Sequence, residues 1–113
     1  MTIIDVKDLD ELETLIGGEF NDEYDDEEIV HFEDRDIAVI YEPCYRITLS
    51  GVTFIVAEGV YCAWDEEKQE TLPDWSISLI YADTSDFNPD NYLYYEQGCP
   101  ISALRNYINY IEA

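Results

Sequence analysis

The spacing of apolar residues in this chain begins at a helical period, shifts to strict alternation, and returns to the helical period at the end. Leu9, Leu12, Leu15 and Ile16 recur at three- and four-residue steps with Asp10, Glu11 and Glu13 between them, which predicts an amphipathic helix with an acidic outer face. Asp5 or Asp8 can cap it, because a carboxylate accepts hydrogen bonds from free backbone N–H groups and suits the positive end of the helix dipole. Gly17-Gly18 ends it, since glycine adopts the left-handed terminal conformation without a Cβ clash. Ahead of it, Ile3 and Ile4 make Met1–Val6 either an edge strand or the lead-in to the helix.

Alternation takes over after the acidic segment Glu19–Asp36. Within that segment Asp22–Glu28 reads equally as a loop or a short helix, and Ile29–Phe32 as the start of a strand. Asp36–Glu42 is apolar on both faces, as a central strand is, and Pro43 is expected to end it. Tyr45–Leu49 and Val52–Ala57 alternate on either side of Ser50-Gly51, a two-residue hairpin turn. Glu58-Gly59 is either a second turn or a bulge through which Val60–Trp64 continues the strand. Asp65–Asp74 is expected to be a polar loop. Trp75–Tyr81 follows, with Trp75, Ile77, Leu79 and Tyr81 facing in and Ser76 and Ser78 facing out. Asp83–Asn91 reads as a turn-rich loop, and Tyr92–Tyr95 as a last strand.

Pro100 stands where a helix's first residue would be, where its missing N–H costs nothing. Ile101, Leu104, Ile108 and Ile111 then predict a terminal helix over Ile101–Glu112, with Tyr107 and Tyr110 flanking the stripe. The fold class is therefore α+β: an N-terminal helix, a four- to six-stranded, mostly antiparallel sheet, and a C-terminal helix, in one domain over residues 1–113.

Composition supports a folded chain. Leu, Ile, Val and Phe make up 31 of 113 residues, with ten Tyr and two Trp besides, above the roughly 20% level associated with disorder. Cys44, Cys62 and Cys99 are odd in number and lack C-x-x-C spacing, which predicts reduced thiols and a cytoplasmic protein without a zinc site. No signal peptide is expected from Met1–Asp10, and the longest uninterrupted apolar run, Val60–Trp64, is far short of the ~20 residues of a membrane span.

Charge changes the picture most. The chain carries a formal net charge of −22, where about 2–8 in magnitude suffices for solubility. Such a charge repels nucleic acid and anionic membranes and steers the protein toward basic surfaces. Its densest stretch, Glu19–Asp36, holds ten carboxylates against Arg35. Phe20, Tyr24, Ile29, Val30 and Phe32 are threaded among them, giving the segment apolar anchors that a disordered acidic tail lacks. The candidate partner-binding residues are Glu19, Asp22, Glu23, Tyr24, Asp25, Asp26, Glu27, Glu28, Glu33, Asp34 and Asp36. Carboxylates at alternate strand positions recur at roughly 6.6–6.8 Å and helical i,i+4 pairs at about 5–6 Å, spacings at which several cationic side chains can be engaged simultaneously.

Catalysis and cofactors have little to stand on. With 27 acids, any chosen acid/base pair is uninformative. His31 reads as a structural or surface histidine, and no G-x-S-x-G, phosphate-cradling glycine loop or H-E-x-x-H occurs. The loop Asp83–Asn91 lacks the central glycine and closing glutamate of a calcium loop. The expectation is a non-enzymatic protein with no cofactor and no specific metal.

In size and composition, though in no motif, the chain resembles the phage- and plasmid-borne DNA-mimic inhibitors, among them anti-restriction proteins, anti-CRISPR proteins and uracil-DNA glycosylase inhibitors. That class shares no single fold, so the resemblance assigns no residues. It implies a partner: the basic nucleic-acid channel of a CRISPR effector, restriction enzyme or DNA glycosylase. An acidic immunity protein that neutralises a basic nuclease toxin, or a regulatory module for a basic partner, would be built from the same chemistry.

Overall fold

The computed structural model describes residues 2–16, 26–32, 35–83 and 88–112. Its elements in chain order are β1 (Thr2–Val6), α1 (Leu9–Ile16), β2 (Asp26–His31), β3 (Ile37–Leu49), β4 (Val52–Asp65), β5 (Glu70–Ala82), β6 (Tyr94–Gln97) and α2 (Pro100–Glu112). The fold is α+β, with a helix near each terminus of a curled sheet. A strand precedes the first helix, and the sheet is mixed: β1 lies parallel to the second half of β3, with Ile4 opposite Ile47. Alternation explains β1, since Ile4 and Val6 are buried while Ile3 and Asp5 face out. After β1 the chain turns into α1, and that crossover permits parallel pairing, which a tight hairpin cannot.

Among the described residues the sheet runs β1-β3-β4-β5-β6, and β2 pairs antiparallel with the first half of β3. β1 and β2 thus lie end to end along one edge of β3, and define two ends of a molecule 48 × 33 × 27 Å in extent. At the helix end, Asp8 Oδ1 accepts from the Glu11 N–H at 2.9 Å and Glu11 Oε2 accepts from the Lys7 N–H at 3.0 Å, a reciprocal cap for α1. Ser50 and Gly51 both have positive φ (50° and 85°), as the tight hairpin between β3 and β4 requires.

Three connections differ from the sequence reading. Pro43 does not end its strand: β3 passes through it, and the pairing register with β4 shifts between Tyr41 and Tyr45. A bulge is where a sheet tolerates a residue without an N–H. Glu58-Gly59 is neither turn nor bulge, for Gly59 pairs in register with Ile40 on one side and Ile77 on the other. A Cβ at Gly59 would fall onto the Val39 carbonyl and the Ile40 Cα, so the glycine serves close backbone approach. Finally, Asp65–Asp74 is mostly strand: only residues 66–69 turn, and Asp65 pairs with Glu70. Asp65 Oδ1 accepts from the N–H groups of Glu67 and Lys68, which closes that turn locally.

The sheet buries both faces. On one, Leu12 of α1 and Ile101, Ala103, Leu104 and Tyr107 of α2 pack over Tyr45, Ile47, Phe54, Val56 and Ile80. Leu15 and Ile111, expected on the apolar stripes, stand exposed near the C-terminal ends of their helices. On the other face Val30, Ala38, Ile40, Ile55, Ala57, Ile77, Leu79 and Tyr81 form a second core. Ser78, expected to face solvent, is fully buried under the helices and donates to the Gly98 carbonyl at 2.8 Å. Cys62 and Cys99 are free thiols, and burial raises the pKa of Cys62. No helix among the described residues is long and apolar enough to cross a membrane.

Candidate functional site

The described part of the acidic stretch, residues 26–32 and 35–36, lies where β2 pairs with the first half of β3, the end of that strand away from β1. Glu19, Asp22, Glu23, Tyr24, Asp25, Glu33 and Asp34 lie outside the described residues. Asp26 opens β2, its backbone paired with Glu42. Glu27 and Glu28 follow on the same strand, both exposed. Consecutive strand residues point to opposite faces, so these two carboxylates flank the strand on either side. Val30 anchors the strand by burying completely in the second core.

Asp36 is different in kind. Its Oδ2 accepts from the Tyr61 hydroxyl at 2.5 Å and its Oδ1 from the Trp64 N–H at 2.9 Å. The Tyr61 bond, then the Trp64 bond, lower the Asp36 pKa against an opposing desolvation. In return the Tyr61 phenol is pushed up to about 12, first by the bond to Asp36 and then by burial. Asp36 therefore stays ionised while fastening the β2–β3 connection to β4. Beside it the Arg35 guanidinium lies over the Trp64 ring, 5.1 Å from its centroid.

These bonds bring together two segments that the sequence reading kept apart. Ile37 pairs with Cys62, and Trp64 leads directly into the 66–69 turn. The end of Glu19–Asp36 and the acids Glu66, Glu67, Glu70 and Asp74 consequently share one end of the molecule. The four latter carboxylates are exposed. Ion pairs among the described residues are Arg46–Asp83 at 2.9 Å, Arg105–Glu13 at 3.8 Å and His31–Asp90 at 3.6 Å. None of them involves Glu27, Glu28, Glu66, Glu67, Glu70 or Asp74. His31 is exposed; its backbone N–H donates to Asp90 Oδ1 at 2.8 Å, a structural placement. Glu96, by contrast, is an internal fastener, accepting from Tyr94, Ser102 and Asn106.

The sequence reading did not assemble the aromatic cluster that covers the second core. Phe32 lies 5.5 Å from Tyr61, 5.6 Å from Tyr92 and 5.0 Å from Tyr95 between ring centroids, and Tyr61 stacks on Trp75 at 4.5 Å. Phe32 follows the edge strand β2, whereas Tyr95 sits on the strand at the far end of the sheet order. Their contact, with the His31–Asp90 bond, means that the sheet curls until its edges meet. Register pairing places Tyr61 opposite Trp75 on adjacent strands, with Ala38 of β3 on the other side of Tyr61. Alternation gave the facing of Trp75; the join between Phe32 and Tyr95 depends on curl, which no local pattern encodes.

At the helix end a groove of about 660 Å³ lies between α1, the 49–52 hairpin and α2, lined by Leu9, Leu49, Val52, Phe54, Ile108 and Ile111. Lys7 and Arg105 at its rim are matched by Asp8 and Asp10, so it has no net charge to offer a ligand. Among the described residues no group of three His, Cys, Asp or Glu side chains is arranged to hold a metal ion. No family model, curated protein or solved structure matches the chain.

Proposed function

We propose that this protein is an acidic nucleic-acid mimic that occludes the basic DNA- or RNA-binding site of a host defence or repair enzyme. Its most specific form is a phage-type anti-CRISPR or anti-restriction protein acting in the host cytoplasm, without catalysis or cofactor. The observation that carries this reading is the set of exposed carboxylates Glu27, Glu28, Glu66, Glu67, Glu70 and Asp74. They are mounted on paired strands and a tight turn at one end of a chain with net charge −22. Duplex DNA presents one charge per ~1.7 Å of axis, and proteins that grip it offer matching Lys and Arg. Carboxylates held on a folded scaffold meet those cations with less ordering cost than a flexible polyanion. An RNA-guided effector, which reads a short duplex motif through basic residues, presents such a channel.

The test is displacement. Labelled DNA is bound to a purified RNA-guided effector, a restriction enzyme and a uracil-DNA glycosylase, and the protein is titrated into each. The proposal expects stoichiometric release of DNA from one of them, with binding that weakens steeply as salt rises. Binding that leaves DNA affinity unchanged, or no release from any of the three, contradicts it.

A further inference from the structure

Resting on that reading, we propose that the aromatic cluster at the acidic end is an arginine-binding floor, taking guanidinium groups of the basic partner in preference to lysine ammonium groups. The rings are placed for it. Tyr95 is 39% exposed, and Phe32, Tyr61, Trp75 and Tyr92 are each half-buried, so they cover the second core while keeping part of their surface in solvent. Aliphatic side chains would exclude water from Val30, Ala38 and Ile77 equally well. Aromatic rings add an attraction for cations at their faces.

The charges around the floor have the sign a cation requires. Asp36 is tied to the Tyr61 hydroxyl, Asp90 to the His31 N–H, and Asp74, next to Trp75, is exposed and acts electrostatically on Tyr61. Glu28 stands on the same sheet face by register, two residues along β2 from Val30. The chain also shows the same geometry internally: Arg35 lies over Trp64 at this end, although only five Lys and Arg residues exist in 113. A planar guanidinium stacks on a ring and still donates to a flanking carboxylate; a compact, strongly hydrated ammonium does this less well. Carboxylates alone also favour arginine to a degree through bidentate pairing, so the share of the preference carried by the Tyr95 ring is what separates the floor from the general field.

The experiment uses the full chain and two probes of equal charge, octa-arginine and octa-lysine, with binding followed by calorimetry and by tryptophan emission. Arginine peptide is expected to bind about tenfold more tightly than lysine peptide, and the preference to persist as salt weakens both. Tyr95→Ala should bring the two affinities closer together, whereas Tyr95→Phe should retain the difference, with circular dichroism confirming that both variants fold. Equal affinities for the two peptides in the unmodified protein overturn the arginine floor and leave the charge-based function standing. An arginine preference that survives Tyr95→Ala undiminished also overturns it. Arginine preference without displacement of DNA would support the floor while contradicting the mimic function, so the two proposals fail separately.

Discussion

The two faces of the sheet are closed by different means, and the contrast separates what holds the fold from what is offered to a partner. Under the helices, Leu12, Ile47, Val56, Ile80 and Leu104 are wholly buried, and the cover is two amphipathic helices fastened by a cap and by Glu96. On the opposite face the core residues are equally buried, but their cover is a set of partly exposed rings: Tyr61 and Trp75 within β4 and β5, Phe32 just after β2, Tyr92 just before β6 and Tyr95 within it. Around that second cover Glu28 and Asp74 are exposed and outside the ion pairs of the described residues, whereas the groove at the helix end balances its charges. The residues that close the first core are buried beneath two helices, whereas the rings that close the second keep part of their surface in solvent.

The largest expected effect tests that asymmetry. Leu104→Ala removes a fully buried side chain between helix and sheet and should cost about 2–5 kcal/mol in urea unfolding. Tyr95→Ala at the aromatic end should cost less, about 1–2 kcal/mol, because the ring is already 39% exposed. Equal losses would erase the distinction. Gly59→Ala comes next, at about 3 kcal/mol, since its Cβ meets strand backbone that has no room to yield.

The hydroxyl fasteners give a matched pair across the two regions. Tyr61 bonds Asp36 at the acidic end, and Tyr94 bonds Glu96 at 2.6 Å beside α2; both phenols are pushed up to about 12. A phenol whose folded pKa exceeds its unfolded value of about 10 contributes stability that is complete below pH 10 and lost as pH rises through 12. The melting temperature should fall across that window, and Tyr61→Phe and Tyr94→Phe should each flatten the fall. A pH profile unchanged by both substitutions would contradict these bonds. The Asp36 carboxylate has the opposite sign: its pKa is lowered, so its contribution exists above the unfolded carboxylate pKa and disappears as pH falls through the depressed one. Salt should have the smallest effect. Shortening the Debye length from ~10 Å at 0.1 M to ~3 Å at 1 M relieves self-repulsion and should raise the melting temperature modestly. A fall would show that the ion pairs outweigh the repulsion.

How far the sequence foretold this arrangement depends on the range of the interaction. Helical spacing located α1 and α2, and Ser50-Gly51 located its hairpin, because period and turn chemistry are local. Pro43 and Gly59 misled because their roles depend on the neighbouring strands: one sits where register slips, the other where two backbones crowd. Ser78 looked solvent-facing by alternation, yet α2 and the Gly98 carbonyl cover it. For the candidate site, composition marked the acids but could not sort them. Asp36 and Asp90 are fastened within the fold, while Glu27 and Glu28 stand free of the described ion pairs, a difference made by residues 25 to 59 positions away. The aromatic floor was illegible for the same reason, since Phe32 and Tyr95 meet only through the curl.

That geometry also decides the most direct measurement of the central claim, that a shaped acidic end and not diffuse charge engages the partner. Glu66→Lys/Glu67→Lys should impair binding together with Glu27→Lys/Glu28→Lys, because the 66–69 turn follows Trp64 beside Asp36. The distant control is Asp5→Lys/Asp10→Lys at the helix end, with the same change in net charge. Displacement of labelled DNA from the enzyme that the protein inhibits should weaken by more than about tenfold for Glu27→Lys/Glu28→Lys and by less than about threefold for the distant pair, since close contacts are lost in one and only the summed field changes in the other. Equal weakening by the two pairs would contradict the claim.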